Sequence, residues 1–179
     1  MNSHAHAKRG GNRMYTYTFF DRSGNRIELV LEESGKGLPS EAPTDVLVVP
    51  QLGRGLVFTR HRTRGIELPG GKIHPGEPPL LAAAREAYEE AGISFRTLRS
   101  IGAYRIRAPK GTLLHVKLVF WGEVDALLPF PATSDGLGAL VYPEPPSPPL
   151  PVPPFSPYLG DDLYAHILAY GRKKGWLLP

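Results

Sequence analysis

Three glutamates on one short segment carry the strongest chemical signal in the sequence. In a helix, Glu86 and Glu90 stack on one face, and Glu89 lies one turn from Glu86. Like charges at this spacing repel each other and weaken a helix, and bound divalent cations offset that cost. Because an all-carboxylate site selects hard ions, the segment predicts a site for Mg²⁺ or Mn²⁺. Two such ions could bridge phosphate oxygens and produce a hydroxide nucleophile near neutral pH.

The glutamates belong to a longer frame of fixed spacings. It reads G-x5-E-x7-R-E-U-x-E-E-x-G-U, with U an aliphatic residue, from Gly71 to Ile93. A solvated acidic helix face would explain isolated glutamates, but it does not explain the whole frame. The pattern resembles the Nudix box, the signature of the Nudix hydrolases, and Ala87 is a small residue at the first aliphatic position.

The resemblance implies a role for each position of the box. Glu86, Glu89 and Glu90 would be metal ligands, with Glu89 and Glu90 also catalytic, and a main-chain carbonyl at Gly71 would complete the shell. The remaining positions would be structural: Glu77 would pair with Arg85 and hold the loop on the helix, and the helix would stop at Gly92.

A further catalytic carboxylate often follows the box in similar proteins. Asp135, in the run Thr133–Gly136, is the first candidate and Glu123 the second. An Asp before a Gly is also a common turn residue, so the alternative for Asp135 is a purely structural role.

Fainter similarity extends beyond the box, through residues 64–71, the opening hairpin and Gly175–Trp176. These segments resemble a bacillary, MutT-like branch that acts on nucleoside triphosphates, oxidised dGTP or the 5′-triphosphate end of RNA. The implied reaction is attack of water on a phosphorus of a nucleoside diphosphate linked to another group. The implied fold is an α/β/α sandwich with a mixed β-sheet.

Basic residues near the box are candidates for binding the substrate's phosphates, and the net charge of +4 suits such a partner. The primary candidates are Arg60, Arg64, Lys72 and Arg105, with Arg62 and Lys117 as further ones. Most surface Arg and Lys side chains contact only water, so we expect at most two or three of these residues to bind phosphate. Tyr104 or Phe58 could stack on a base, although aromatic residues on strands are more often core.

Three other functions compete with a triphosphatase. Pro109 follows the box at about the distance at which ADP-ribose hydrolases of the family carry a proline, and a hairpin turn explains it equally well. A non-catalytic nucleotide-binding module is less favoured, because all the box carboxylates are present. The proline-rich stretch 143–157 could also bind a partner, although a connector is the simpler interpretation.

The order of predicted elements fits a single domain at 14–179 after a flexible tail at 1–13. A helix is expected over Pro79–Ala91, packed through Leu81, Ala84, Tyr88 and Ala91, and a second over about 161–174, packed through Leu163, Tyr164, Ile167 and Leu168. The predicted strands are Met14–Phe20, Arg26–Glu32, Val46–Val49, Leu56–Arg60, Leu98–Arg107 and Leu113–Val124.

Composition excludes several classes of protein. The chain has 179 residues and no cysteine, which rules out disulfides, thiolate catalysis and Cys-zinc sites. No apolar run approaches the roughly 20 residues that cross a bilayer, and the N-terminus lacks a signal-peptide core. We therefore expect a cytoplasmic protein without a membrane partner, and leave its oligomeric state open between monomer and homodimer.

Overall fold

A mixed β-sheet forms the centre of the molecule in the computed structural model, which describes residues 13–131, 136–159 and 161–178. Its strands are β1 (Tyr15–Phe20), β2 (Arg26–Leu31), β3 (Asp45–Leu52), β4 (Gly55–His61), β5 (Gly65–Glu67), β6 (Gly70–Lys72), β7 (Ile93–Arg107), β8 (Leu113–Leu127) and β9 (Gly136–Tyr142). The helices are α1 (Pro79–Ala91) and α2 (Asp162–Lys173), and a 3-10 turn at Pro157–Leu159 precedes α2.

The strand order is β1-β2-β7-β8-β3-β4-β5, with β6 pairing β3 and β9 pairing β4. The pair β3–β8 is parallel and the other pairs are antiparallel. Since β3 and β6 are antiparallel neighbours, the start of β3 lies beside the glycines that open the box.

The helices cover opposite faces of the sheet. Alanines of α1 pack on Val46, Val48 and Phe120, whereas α2 packs on a larger cluster that includes Leu47 and Trp121. Strand β3 therefore contributes alternate residues to both layers, which is why it is apolar throughout its first half. The predicted α/β fold is confirmed.

The buried face of α1 differs from the prediction. Leu81 is 59% exposed and Tyr88 is 40% exposed, whereas Ala82, Ala83, Ala87 and Ala91 are buried. The expected packing through Leu81, Ala84 and Tyr88 was wrong because it assumed that the glutamates point away from the sheet. Ala83, Glu86, Ala87, Glu90 and Ala91 instead share one face, at the spacing of an amphipathic helix.

The proline-rich stretch also differs from a simple surface connector. Leu150 and Phe155 are buried in the core on the α2 side. The backbone follows β5, since the N–H of Ile66 donates to Pro154 O at 2.9 Å and the N–H of Ser156 donates to Ile66 O at 2.7 Å. The stretch thus covers the edge of the sheet next to β5.

Most of the predicted tail, residues 1–12, lies outside the described residues. Within the described ranges, neither helix has the length and apolar character that a membrane span requires. The predicted second helix is present, with its four expected apolar residues buried.

Candidate active site

The box begins in the short strand β6 and continues into α1, whose ends are well defined. Pro79 opens the helix, and Gly92 closes it in the left-handed conformation at φ 65°. A Cβ at Gly92 would lie 1.9 Å from Leu128 O, so a larger residue does not fit. Thr59 of β4 donates to Glu90 O at 3.1 Å and holds the last turn of α1 on the sheet.

Glycines 70 and 71 bring the backbone against two of the carboxylates. A Cβ at Gly71 would lie 2.4 Å from the carboxyl carbon of Glu86. The N–H of Gly70 donates to Glu90 Oε2 at 3.2 Å. Close approach of strand β6 to the glutamate face of α1 therefore depends on the absence of a side chain at Gly71. A Cβ at Gly70 would instead lie 2.4 Å from Val46 O of β3.

Arg85 connects three carboxylates of the box. Its Nε and Nη2 donate to the two oxygens of Glu77 at 2.7 and 2.8 Å. Its Nη1 donates to Glu86 at 2.8 Å and to Glu89 at 3.1 Å. The pair that the resemblance implied between Glu77 and Arg85 is therefore present, and the same guanidinium also reaches two of the predicted metal ligands.

Burial and hydrogen bonds shift the pKa values of the glutamates in opposite directions. It raises the pKa of Glu90 to about 8, with the charges of Glu67 and Glu86 adding to the effect and the Gly70 N–H opposing it. Burial also raises the pKa of Glu86, against the hydrogen bond from Arg85. The Arg85 hydrogen bonds instead lower the pKa of Glu77 to about 2. Concentrated, partly buried negative charge of this kind is typical of a cation site.

The donor set at this face is chemically suited to a hard divalent ion, because it consists of carboxylate and main-chain oxygens. Within the described ranges, however, no three His, Cys, Asp or Glu side chains converge as a ready-made metal cluster. Arg85 binds Glu86 and Glu89, whereas the Gly70 N–H binds Glu90.

A cavity of about 490 Å³ adjoins the box glycines on the α2 side of the sheet. Of the four predicted phosphate-binding residues, Arg64 and Lys72 line it. Arg64 is held by Glu67 at 2.6 Å, and its guanidinium lies 6.0 Å from the ring centre of Tyr158 at the cavity wall. Two cations are thus available beside the box.

The other two predicted basic residues are not part of the cavity lining. Arg105 pairs with Glu41 at 2.7 Å, on the surface formed by β2 and β7. Arg60 is exposed on β4. Lys117, one of the further candidates, does line the cavity.

The candidates for a further carboxylate fall in different places. Asp135 lies outside the described residues, but its neighbour Gly136 packs against α1, where an added Cβ would lie 2.2 Å from Glu90 O. Glu123 is opposite Gln51, six residues along β3 from Asp45, or roughly 20 Å from the box end of that strand. Glu123 is therefore remote from the site.

Sequence reasoning missed several polar residues of the cavity, among them Glu67, Asp45 and His115. None of them belongs to a spaced motif. They come together only through strand pairing, so their proximity could not have been read from a single sequence.

Comparison with known proteins identifies the family. The model of the NUDIX domain matches residues 41–139, which is more than half of the chain and includes the whole box. The chain belongs to the Nudix hydrolase family. The predicted family and enzyme class are thereby confirmed.

Two relatives from Bacillus subtilis cover most of this Nudix hydrolase. One, named "Putative 8-oxo-dGTP diphosphatase YtkD", is 31% identical over 111 residues, which span 62% of this chain and 67% of the relative. A mutant form of the pyrophosphohydrolase BsRppH has a crystal structure that superposes with a TM-score of 0.80 at 26% identity, over 90% of this chain and 99% of that one.

A Nudix hydrolase family member from Chromobacterium violaceum shares the fold more distantly. Its crystal structure superposes with a TM-score of 0.51 at 20% identity, over 76% of this chain and 83% of that one.

Proposed function

We propose that this Nudix hydrolase is a pyrophosphohydrolase that cleaves a phosphoanhydride bond of a nucleoside triphosphate. The candidate substrates are 8-oxo-dGTP and the 5′-triphosphate end of RNA. The names of the two Bacillus relatives support the class of reaction. The observation that carries the proposal is the position of Glu86 and Glu90, which share the sheet-facing side of α1 with small alanines and meet the glycines of β6.

The proposed metal site consists of Glu86, Glu89 and Glu90 with the main chain at Gly71. Its donors are all oxygen, and the missing side chain at Gly71 leaves room beside the Glu86 carboxylate. Bound Mg²⁺ or Mn²⁺ would polarise a phosphoryl oxygen and make the attacking water more acidic. Arg85 would hold Glu86 and Glu89 in position before the ion enters.

We assign to Glu89 the role of accepting the proton from the attacking water. Glu89 has the most exposed carboxylate that Arg85 contacts, at 43%, so water reaches it readily. Glu90 is held by the Gly70 N–H and suits the role of ligand better than that of a mobile base. Asp135 remains a proposed additional carboxylate, which the packing of Gly136 on Glu90 supports.

The substrate's phosphates would bind between the box and the cavity. Arg64 and Lys72 are the proposed contacts, because both line the cavity next to Gly70 and Gly71. Arg64 offers a planar fork that matches phosphate oxygens, and Glu67 fixes its orientation. Arg60 and Arg105 are not assigned this role.

The test is hydrolysis of a substrate panel in Mg²⁺: dGTP, 8-oxo-dGTP, ATP, ADP-ribose and a 5′-triphosphorylated RNA. Chromatography would identify the products. We expect pyrophosphate or successive phosphates from the triphosphates. AMP and ribose phosphate from ADP-ribose alone would overturn the proposed substrate class, and bound but unhydrolysed nucleotide would overturn the proposed activity.

A further inference from the structure

A row of polar side chains crosses the floor of the cavity on four neighbouring strands. In the register of the sheet, Lys72 of β6 is opposite Asp45 of β3, Asp45 is opposite Lys117 of β8, and Lys117 is opposite Tyr104 of β7. All four residues line the cavity. The row therefore leads from the box into the depth of the cavity.

Asp45 is an unusual member of this row because it carries a carboxylate although the residue is only 5% exposed. One oxygen, Oδ2, accepts hydrogen bonds from Thr44 Oγ1 at 2.5 Å and from His115 Nδ1 at 2.9 Å. Thr44 is itself held by the N–H of Val116 at 3.1 Å. The carboxylate is thus fixed in orientation by Thr44, which precedes β3, and by His115 of β8.

The second oxygen of Asp45, Oδ1, makes no hydrogen bond to any of the described residues. Oδ1 is not fully buried, since among the described residues the buried side-chain oxygen without a partner is Glu32 Oε1. Oδ1 is therefore open to the cavity and needs a hydrogen-bond donor there, either a water or a ligand group. Because Asp45 lines the cavity, a ligand can supply that partner. The partner must be a neutral or positive hydrogen-bond donor, since a phosphate would be repelled.

The position of Asp45 indicates which part of a nucleotide reaches it. Neighbouring strands lie roughly 4.8 Å apart, so Asp45 is one strand spacing from Lys72, which follows Gly71 of the box. Tyr104 is two further spacings away, roughly 10 Å from Asp45. With the phosphates at the box, the sugar comes next along this row and the base comes last.

We infer that Asp45 accepts a hydrogen bond from a ribose hydroxyl of the substrate and makes the enzyme selective for ribonucleotides. The inference rests on the proposed function for the placement of the phosphates. Thr44 and His115 are positioning residues, which aim Oδ1 at the sugar. Within the proposed function, the inference favours ribonucleoside triphosphates or an RNA 5′ end over 8-oxo-dGTP.

The experiment separates binding from hydrolysis. Binding of guanosine 5′-monophosphate and its 2′-deoxy and 3′-deoxy forms is measured by calorimetry in a chelator, with the wild type and with Asp45→Ala and Asp45→Asn. Asp125→Asn is the matched control, since that carboxylate is 56% exposed on β8 and, among the described residues, pairs with Arg96 alone. Thermal unfolding checks that each variant is folded.

We expect the wild type and Asp125→Asn to bind guanosine monophosphate about tenfold to a hundredfold more tightly than at least one deoxy form, the range for a hydrogen bond to a charged group. Asp45→Ala should bring that ratio close to one, and Asp45→Asn should reduce it. Weaker binding of the 2′-deoxy form would fit an RNA end, where the 3′ oxygen is esterified.

Equal binding of all three nucleotides by the wild type would overturn the inference. So would a folded Asp45→Ala variant that loses affinity for all three equally, which would indicate a contact to the base. Absence of hydrolysis in Mg²⁺ with the sugar preference intact would instead refute the proposed function alone.

Discussion

Among individual residues, Arg85 has the widest set of contacts in the box. Its guanidinium binds Glu77 through two parallel hydrogen bonds, shares Nη1 between Glu86 and Glu89, and donates to Lys72 O at 3.0 Å. One side chain therefore joins the loop after β6 to the carboxylates of α1. It also offsets part of the repulsion between those carboxylates, which otherwise weakens the helix.

Glu90→Gln should lower kcat by a factor on the order of a thousand, because the proposed metal site would lose the charge of one ligand next to the developing phosphoryl charge. The side chain is similar in shape, so the fold should persist. Steady-state kinetics in Mg²⁺ measures the effect, with Glu144→Gln, at an exposed residue of the proline-rich stretch, as the control. A variant with near-wild-type turnover would contradict the assignment of the metal site.

Glu77→Gln should lower stability in a pH-dependent way. The Arg85 hydrogen bonds lower the pKa of Glu77 to about 2, below its usual value of 4.5. A carboxylate with a lowered pKa stabilises the folded state above its unfolded pKa, and this contribution is lost as the pH falls through the folded value. The Tm difference between wild type and variant should thus be full at pH 7 and shrink between about pH 5 and pH 2. A difference that does not vary with pH would contradict the role of this ion pair.

At the scale of elements, the bounds of α1 could be predicted but its orientation could not. Pro79 and Gly92 mark the ends by local backbone chemistry, and the structure has the same ends. The buried face was predicted from apolar periodicity, which points to Leu81 and Tyr88. The helix instead turns its two inner glutamates and its alanines to the sheet, because the small alanine side chains let the helix approach the sheet closely.

Ala87→Leu should destabilise the protein by about 1–3 kcal/mol, since Ala87 is fully buried between α1 and the sheet and extra methylenes force the two apart. Ala84→Leu is the matched control: the same change on the same helix, at a position that is only partly buried. Urea unfolding measures both variants. Equal stability of the two would show that the alanine face is not the packing surface.

At the scale of the whole molecule, strand pairing brings together cavity residues that are far apart in the sequence. The long strands β7 and β8 were predictable from their residue types, but the short strands β5, β6 and β9 are rich in glycine and carry no alternation to detect. The cavity depends on pairings between β6, β3, β8 and β7. The polar residues of the cavity could therefore be identified only from the strand pairing in the structure. The box, in contrast, could be recognised in the sequence because it is a local motif.

The proline-rich stretch is the largest departure from expectation at this scale, and it connects the core to the site. Phe155 is 7% exposed and packs near Phe58 and Tyr142, with ring centres 6.0 and 5.9 Å away. Its neighbours hydrogen-bond to Ile66 of β5, the strand that leads from Arg64 to Glu67. Loss of this packing should loosen the strand as well as the core.

Phe155→Ala should therefore destabilise the protein by about 3–5 kcal/mol, the usual range for truncating a buried aromatic side chain. Pro151→Ala is the control, because that side chain is exposed while its backbone still accepts from the Phe155 N–H. The midpoint of urea unfolding should fall for Phe155→Ala alone. KM should also rise at temperatures where the variant is folded, since Arg64 would be held less firmly. Wild-type stability and KM would mean that the stretch is a connector after all.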